Sequence, residues 1–338
     1  MQVVRAHHFG TPDVLVYESL PDPQPGPGQL RIKVESASVN YADVMRRSNT
    51  PYPFPTTLPF IPGSEVAGVV DALGEGVSVP PIGTRVFAVI GDGSTGYAQY
   101  AIATAGQAIP IPPGLSADQA CVLIVAGVTP LLIFQELARL QPGESVLIPA
   151  ASGGVGSYAV QIAKLLGAGT VIGAASSPAK RQTVLGLGAD HVVDYTQPDW
   201  HQRVLDLTDG RGVDVVLEMT GGSIFAQSVK CLAPFGRLVV YGMASREPLQ
   251  FDQDTILKLF YSPSLNQSLH VFSLGLWFGL RFPAALSAMQ TLIGYAASGQ
   301  LQVNVNHVLP LSQAADAHRL MEARQTTGKI VLKPWQDA

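Results

Sequence analysis

Charged residues are scarce in this sequence, and neither sign of charge forms a run. Asp, Glu, Lys and Arg make up 14% of the 338 residues, against about 25% in an average soluble protein. The formal net charge is -4, so the chain offers little material for the basic face that a nucleic-acid partner requires. Hydrophobic residues make up 47%, which is enough to bury a large core and excludes wholesale disorder.

Cysteine is almost absent. Cys121 and Cys231 both stand inside apolar stretches, where two small buried hydrophobes are favoured over a disulfide. Two cysteines also cannot form a structural zinc site of the four-cysteine kind. The histidines show no metal-ligand spacing around a shared loop, which predicts surface or core positions for most of them.

The sequence also lacks an apolar run long enough to cross a membrane. The longest uncharged apolar stretch covers 120–134 and contains Gly127, Thr129 and Pro130, whereas a membrane span needs about 20 residues. The first residues follow a strand-like pattern without the hydrophobic segment of a signal peptide. We therefore expect a soluble protein of a reducing compartment, in the cytoplasm and without a membrane partner.

The length of the chain suggests two domains. Up to about residue 120 the chain is rich in Gly and Pro, which predicts an irregular, barrel-like β domain with strands at 30–34, 66–70 and 85–89. From about 122 to 277, strands alternate with helices, which predicts a parallel sheet covered on both faces. The predicted strands there are 145–149, 170–174, 191–193, 213–218 and 237–241, and the predicted helices are 156–166, 178–187 and 224–231.

The tail of the chain returns to the composition of the first region. The pattern predicts a helix at 283–298, a strand at 303–308, a helix at 312–323 and a last strand at 329–333. We expect this tail to complete the amino-terminal domain. The predicted division is 1–122 with 279–338 for one domain and 123–278 for the other.

A glycine-rich loop connects the first strand of the second region to its helix. The strand at 145–149 leads into Ala150-Ala-Ser-Gly-Gly-Val-Gly156, with Ala151 at the first position of a dinucleotide fingerprint and Gly153 and Gly156 at the others. Small residues let the backbone turn tightly and approach a pyrophosphate, while the helix N-terminus offers free N–H groups. Because a strand precedes the loop and a helix follows it, a dinucleotide site is favoured over an ordinary strand-to-helix turn.

The residues after the next strand indicate which nicotinamide cofactor this site prefers. An NAD site places an acidic residue about 20 positions beyond the glycine loop, where it holds the ribose hydroxyls. Here Ser176 stands at that position, and Ser177, Lys180 and Arg181 follow. Hydroxyls and cations suit a 2′-phosphate, so the pattern favours NADPH, with a solvated helical turn as the alternative.

Further short motifs are spread over the chain. They are Val39-Asn-Tyr-Ala-Asp43, Pro62-Gly-Ser-Glu-Val-Ala-Gly68, Gly83-Thr-Arg-Val86 and Gly96-Tyr-Ala-Gln-Tyr100. Together with the glycine-rich loop, they resemble the medium-chain dehydrogenase/reductase superfamily, in its zinc-free quinone oxidoreductase branch, over the whole chain. The resemblance implies an α/β protein in which a doubly wound Rossmann domain is inserted in a GroES-like, β-rich catalytic domain. It also implies a cleft that holds NADPH, and a homodimer.

The resemblance assigns individual residues to the cofactor. The implied contacts fall on Asn40, Thr129, Ser152, Gly153, Gly154, Val155, Gly156, Ser176, Lys180, Tyr195, Tyr241, Gly242, Met243 and Arg324. Thr129 would lie near the nicotinamide, whereas Arg324 belongs to a tail segment that would reach the adenosine phosphate. Met45 stands where close relatives often carry a tyrosine, which removes an aromatic contact expected from that helix.

The same resemblance implies that no metal is bound. Zinc members of the superfamily have a cysteine at the position of Asn40 and a histidine at that of Ser64, and both are replaced here. The stretch 89–96 is a short glycine-rich loop in place of a four-cysteine lobe. Glu65 then has no metal to serve and is expected to be a structural hydrogen-bonding residue.

Without a Lewis acid, a conjugated acceptor is the easier substrate. Hydride addition to a simple ketone leaves charge on one oxygen, which zinc stabilises, whereas an enolate or a hydroquinone anion spreads that charge and needs only hydrogen-bond donors. Tyr52 is the candidate catalytic donor, with a packed aromatic role as the alternative. Asn40 and Tyr41 are the other polar groups expected near the nicotinamide, while Asp43 is expected to cap a helix or brace a loop.

The predicted function is therefore NADPH-dependent, metal-free hydride transfer to quinones or other α,β-unsaturated carbonyl compounds. An enoyl-thioester or 2-alkenal reductase is one alternative, and a non-catalytic NADPH-binding structural or adaptor protein is another. The alternation at 269–278 suits an apolar strand at a sheet edge, which predicts a homodimer. A buried strand followed by a helix is the other interpretation of that segment.

Overall fold

The chain folds into two compact units, Met1–Val125 with Val303–Ala338 and Ala126–Gln302. The computed structural model describes residues 1–52, 55–91, 94–247, 249, 253–257, 261 and 265–336. Its strands are β1 Gln2–Ala6, β2 Leu15–Ser19, β3 Gln29–Val39, β4 Glu65–Leu73, β5 Arg85–Val89, β6 Tyr100–Thr104, β7 Ile109–Pro110, β8 Ser145–Ile148, β9 Thr170–Ala174, β10 His191–Val193, β11 Val213–Glu218, β12 Leu232–Val240, β13 Ser268–Val271, β14 Val305–Pro310 and β15 Lys329–Lys333. Its α-helices are α1 Tyr41–Arg47, α2 Ala117–Ala120, α3 Thr129–Leu132, α4 Gly154–Leu165, α5 Pro178–Gly186, α6 Trp200–Asp206, α7 Gly222–Lys230, α8 Gln253–Ile256, α9 Leu274–Leu280, α10 Phe282–Ala297 and α11 Ala314–Glu322.

The first unit is built on a mixed sheet in the order β14-β15-β3-β4-β5-β7, with β6 also paired to β3. The long strand β3 runs antiparallel to β4, β6 and β15. Its alternate residues Leu30, Ile32 and Val34 are fully buried, as the two-residue period of a strand dictates when one face covers a core. Since β15 pairs with β3, the tail completes this unit as predicted.

The second unit is a parallel sheet in the order β10-β9-β8-β11-β12-β13. The chain starts at the central strand β8, moves out to β10, and then continues from the other side of β8 to β13. This is the doubly wound order, in which ligands bind at the carboxyl ends of the strands where the order reverses. Strand β11 is buried along its whole length, as expected where helices cover both faces of a sheet. The predicted fold class is confirmed.

The boundary of the tail differs from the prediction. Residues 279–302 belong to the second unit and not to the amino-terminal domain. The cause is the packing of α10: a Cβ atom on Gly127 would lie 2.5 Å from Cδ2 of Leu292, which belongs to that helix. The missing side chain at Gly127 lets α10 approach the core of the second unit.

The predicted strand at 269–278 is wrong in its second half. Strand β13 ends at Val271, and α9 begins at Leu274. Apolar residues at 274, 277, 278 and 280 also recur at the spacing of a helix. A short apolar run fits both the two-residue period of a strand and the 3.6-residue period of a helix, so it does not distinguish between them. The first half is confirmed, because β13 is an edge strand of the sheet.

Cys121 and Cys231 are free and buried, as their apolar surroundings predicted. Among the described helices, none is long and apolar enough to cross a membrane.

Candidate active site

The glycine-rich loop follows the carboxyl end of β8, beside the point where the strand order reverses. The chain turns at Ala150, whose φ of 53° lies in the left-handed region, and α4 begins after the cap residue Gly153. Among the residues that the structure describes, no side chain caps this helix. Its first N–H groups therefore lack the intrahelical and side-chain acceptors that would satisfy them, which is the arrangement that binds phosphates.

Gly156 is the position in this loop at which a side chain does not fit. A Cβ atom there would lie 2.5 Å from the carbonyl oxygen of Ala150 and 2.7 Å from Cα of Ala151. At Gly153 the same carbonyl oxygen would be 3.2 Å away. The close turn between strand and helix depends on the missing side chain at Gly156, as the dinucleotide fingerprint requires. Ser152, Gly154 and Val155 complete the loop and the first turn of α4.

The residues predicted to select the cofactor phosphate lie just beyond β9. Ser177 caps α5, and its Oγ accepts the backbone N–H of Lys180 at 3.3 Å. Arg181 is paired with Asp194 at 2.8 Å, so its charge is matched. Ser176 and Lys180 are both half-buried. A hydroxyl and an ammonium thus stand at this end of the sheet, where an NAD site would carry a carboxylate.

Two further predicted contacts lie on elements of the second unit. Thr129 is the first residue of α3 and is buried. Tyr195 follows β10 and packs, half-buried, against the core of this unit. Tyr195 lies just beyond the carboxyl end of β10, whereas Thr129 precedes β8 in the chain and does not follow a strand of this sheet.

Tyr241, Gly242 and Met243 follow the carboxyl end of β12. Burial and the nearby carboxylate of Glu218 raise the pKa of the Tyr241 phenol. Its phenol oxygen and Oγ1 of Thr220 are buried and have no hydrogen-bond partner within the described ranges. Two orphaned polar atoms at this edge of the sheet fit a polar ligand, because such atoms are rarely left unsatisfied in a native protein.

Glu218 is a buried residue that sequence reasoning missed. Its carboxylate accepts the backbone N–H of Gly221 at 3.0 Å and the hydroxyl of Ser228 at 2.8 Å, and burial raises its pKa. These bonds fix the turn between β11 and α7. Its place at the carboxyl end of a buried strand, beside Thr220 and two glycines, was the signal that could have identified this turn.

In the first unit, Asn40 lies at the junction of β3 and α1 and is buried. Its Oδ1 accepts a hydrogen bond from Nζ of Lys329 at 2.5 Å. Its Nδ2 donates to Oε2 of Glu65 at 2.9 Å and to Oγ of Ser64 at 3.2 Å. Oε1 of Glu65 accepts the backbone N–H of Val125 at 2.7 Å, so the structural role predicted for Glu65 is confirmed.

Asp43 braces the start of α1. Its carboxylate accepts the backbone N–H groups of Asn40 at 2.8 Å and Gly63 at 3.0 Å, and the phenol of Tyr97 at 3.3 Å. The predicted capping and bracing role is confirmed. Burial raises the pKa of Asp43 to about 6, although these hydrogen bonds act in the opposite direction.

His318 lies in the core, one of the two positions, surface or core, that were predicted for most histidines of the chain. It is fully buried, and its Nε2 lies 3.1 Å from the phenol oxygen of Tyr97. Burial, and then the positive charge of Arg47, lower its pKa to about 3, so its ring stays neutral. In the part of the chain that the structure describes, His, Cys, Asp and Glu form no group of three or more that could hold a metal ion.

Tyr52 lies in the loop after α1, next to residues 53–54, which fall outside the described ranges. Its ring centroid is 5.8 Å from the guanidinium carbon of Arg46. That guanidinium also lies 4.5 Å from the ring centroid of Phe60, and its Nε donates to Oγ1 of Thr56 at 3.1 Å. The side chain of Tyr52 is therefore held against a cation, on the same unit as Asn40.

The remaining predicted residues of the first unit are Tyr41, Met45 and Arg324. Tyr41 and Met45 are half-buried on α1. Arg324 is exposed just beyond α11, with a φ of 56°. It belongs to a different compact unit from Ser176, Lys180 and Tyr195, so its part in a shared phosphate site stays a prediction.

Two family models match this chain. The model described as alcohol dehydrogenase GroES-like domain matches residues 26–113, and the model described as zinc-binding dehydrogenase matches residues 154–289. The first range falls in the first unit and the second in the second unit.

Individual proteins are similar over nearly the whole chain. The chain is 35% identical over 327 residues to a quinone oxidoreductase of Pseudomonas aeruginosa, which covers 96% of this chain and 97% of that protein. It is 33% identical over 334 residues to a 2-haloacrylate reductase of Burkholderia sp, covering 97% of each. Its fold is similar to that of Escherichia coli quinone oxidoreductase complexed with NADPH, with a TM-score of 0.89 and 29% identity, covering 99% of this chain and 100% of that one.

Proposed function

This chain belongs to the medium-chain dehydrogenase/reductase superfamily, in its quinone oxidoreductase branch, and on that premise we propose that it transfers hydride from NADPH to quinones or other α,β-unsaturated carbonyl compounds without a metal. The similarity to a quinone oxidoreductase solved with NADPH supports the cofactor. The similarity to a 2-haloacrylate reductase supports an acceptor whose double bond is conjugated with a carboxyl group. Both kinds of acceptor have a carbon–carbon double bond conjugated with a carbonyl or carboxyl group.

The observation that carries the proposal is the bare backbone at the N-terminus of α4. A pyrophosphate fits there because Gly153 brings no capping side chain and Gly156 no Cβ. Ser176 and Lys180 would hold the 2′-phosphate, and the orphaned phenol of Tyr241 and hydroxyl of Thr220 would meet polar atoms of the cofactor. The residues present therefore fit NADPH.

Bound NADPH, held by the glycine loop, Ser176 and Lys180, would supply a hydride, so that the acceptor would gain two electrons and take up one proton. The electrons of the double bond move to the carbonyl oxygen, and the protein must stabilise the charge that develops there. Tyr52 is the proposed donor of a hydrogen bond or proton to that oxygen. Asn40 is the proposed polar neighbour of the nicotinamide.

Hydrogen bonding at the former ligand positions supports chemistry without zinc. The amide of Asn40 is held by Lys329 and Glu65, and Ser64 offers a hydroxyl where a zinc member has a histidine. An amide whose oxygen accepts from an ammonium is a poor metal ligand. Metal analysis of protein purified without a histidine tag should give far less than one zinc per chain; a stoichiometric zinc that survives dialysis against a chelator would show this part of the proposal to be wrong.

The test of the whole proposal is NADPH oxidation, followed by absorbance, with a panel of acceptors. The panel contains quinones, alkenals, a 2-haloacrylate and an enoyl thioester, with a saturated ketone as the matched control. We expect turnover of conjugated acceptors and none of the ketone. Turnover of the enoyl thioester or alkenals alone would favour the alternative reductase. Saturable NADPH binding without turnover of any acceptor would favour a structural or adaptor role and contradict the proposal.

A further inference from the structure

Three polar side chains of the first unit form a line of hydrogen bonds. Nζ of Lys329 donates to Oδ1 of Asn40 at 2.5 Å, and Nδ2 of Asn40 donates to Oγ of Ser64 at 3.2 Å. Lys329 and Asn40 are buried, whereas Ser64 is half-buried. Within the described ranges, the Ser64 hydroxyl has no hydrogen-bond partner except Asn40, so its hydrogen can be donated to a ligand.

Lys329 determines which way the Asn40 amide faces. An ammonium group only donates hydrogen bonds, so the oxygen of the amide must point toward Lys329. The two amide hydrogens then point the other way, toward Glu65 at 2.9 Å and Ser64 at 3.2 Å. Nδ2 also lies 3.5 Å from Oγ of Ser38. Both amide hydrogens therefore have acceptors within the protein, so Asn40 offers the acceptor's oxygen no free hydrogen and would act on that oxygen through a neighbour.

The ammonium also polarises the line. A hydrogen bond to a charged donor withdraws electrons from the amide, which makes its N–H a stronger donor, and chains of hydrogen bonds strengthen one another in a buried setting. A Ser64 hydroxyl that accepts such an N–H becomes a better donor in turn. Ser64 also stands at the position where zinc members of the superfamily carry a metal ligand.

We propose that the Ser64 hydroxyl donates a hydrogen bond to the developing oxyanion of the acceptor, with Lys329 and Asn40 as the residues that position and polarise it. The proposal rests on the proposed function and adds a donor to that reaction. Ser64 supplies by hydrogen bonding part of the stabilisation that a Lewis acid supplies in zinc members. No proton needs to leave Ser64, so the step balances with the hydride transfer alone.

Because Lys329 can lose its proton, the polarisation of this line of hydrogen bonds depends on pH. Burial lowers the pKa of its ammonium, and the facing Glu65 and Asp43 carboxylates and the Cys121 thiol oppose that shift without cancelling it. The ammonium therefore loses its proton at a lower pH than an ordinary lysine. When it does, the Asn40 amide loses the positive charge that polarises it, and we expect kcat to fall at alkaline pH.

The first experiment compares single substitutions. Ser64→Ala and Lys329→Met should each lower kcat with a conjugated acceptor by roughly a hundredfold, the scale of losing one oxyanion donor, with NADPH affinity measured by fluorescence unchanged. Ser64→Thr keeps the hydroxyl and should retain most activity. Lys333→Met is the matched control, since Lys333 lies on the same strand but pairs with Asp118 at 2.6 Å. An unchanged kcat in Ser64→Ala, or equal losses in Lys329→Met and Lys333→Met, would overturn the proposal.

The second experiment asks whether the residues act as one unit. The double variant Ser64→Ala/Lys329→Met should be no slower than either single variant, because each removes the same hydrogen bond. Lys329→Arg, whose guanidinium stays protonated, should remove the alkaline fall in kcat. Losses that multiply in the double variant, or an alkaline limb that persists in Lys329→Arg, would show that Lys329 does not act through Ser64.

A third measurement does not depend on turnover. The chain has five asparagines, so selective ¹⁵N labelling gives a small set of side-chain amide signals, of which Asn40→Gln identifies one. That signal should move as pH rises in the wild type and should be displaced in Lys329→Met but not in Lys333→Met. A wild type without NADPH-dependent turnover would contradict the proposed function, whereas an Asn40 signal insensitive to Lys329 would contradict the inference itself.

Discussion

The carbonyl oxygen of Ala150 lies 2.5 Å from the point where a Cβ atom on Gly156 would stand. Gly156→Ala therefore forces the loop backbone to move, which should cost about 1–3 kcal/mol of unfolding free energy and weaken NADPH binding. Thermal denaturation and fluorescence titration measure the two effects. Gly186→Ala is the control, since a Cβ at that helical position meets no atom within 4 Å and alanine favours the helix.

An equal loss of unfolding free energy in Gly156→Ala and Gly186→Ala would mean that the loop does not depend on the missing side chain at Gly156. Unchanged NADPH affinity in Gly156→Ala would place the pyrophosphate elsewhere.

Lys180 should carry the preference for NADPH over NADH. Charge-assisted hydrogen bonds are worth about 1.5–3 kcal/mol each, or roughly ten- to a hundredfold in affinity. Lys180→Ala should raise the Michaelis constant for NADPH by about that factor and leave NADH nearly unaffected. Lys164→Ala is the control, because the Lys164 ammonium is paired with Asp190 at 3.0 Å. Equal weakening of both cofactors, or a wild type that uses NADH as well as NADPH, would contradict the proposed phosphate site.

The fold and the glycine loop could be predicted because their causes are local in sequence. Strand β11 is a continuous buried run, and the strain of the turn falls on adjacent residues between Ala150 and Gly156. The predicted strand bounds at β5, β9, β10, β11 and β15 agree with the structure. Around Leu274, one short apolar run fits both the period of a strand and that of a helix. The local pattern does not distinguish the two there, and the predicted strand was wrong.

The hydrogen-bonded line of the first unit could not be predicted, because its cause is not local. Asn40 and Lys329 are 289 positions apart, and a lysine at the start of a strand usually indicates an exposed end. Only the pairing of β15 with β3 brings the ammonium to the amide. The sequence identified Asn40 and Glu65 but not the cation that orients them.

Strand β13 should form the centre of a homodimer. It is an edge strand of the parallel sheet, and Val271 on it is 76% exposed, an arrangement that invites pairing with another chain. Light scattering should give the mass of a dimer at micromolar concentration. Val271→Lys should shift the protein toward a monomer, because a charge at an edge strand opposes pairing, whereas Ile82→Lys, at a residue 62% exposed in the first unit, should not. A monomeric wild type would count decisively against the dimer.

Asp43 should make stability fall as pH rises from about 4 to about 6. Burial raises the pKa of its carboxyl from 3.8 to about 6 in the folded chain, so in this window the unfolded chain has released a proton that the folded chain still holds. Stability then decreases with rising pH. The raised pKa corresponds to about 3 kcal/mol of unfolding free energy, which is fully present below pH 4 and lost above pH 6.

Other carboxylates titrate in the same range, so the measurement is the difference between the wild type and Asp43→Asn. Denaturant unfolding of both proteins at a series of pH values gives that difference, and the uncharged amide has no titration of its own. We expect the wild type to lose stability relative to the variant between pH 4 and 6, and the two curves to run parallel outside that window. A difference that is flat, or that rises with pH, would mean that the folded chain holds Asp43 as an ordinary carboxylate, stabilised by Asn40, Gly63 and Tyr97 more than burial disfavours it.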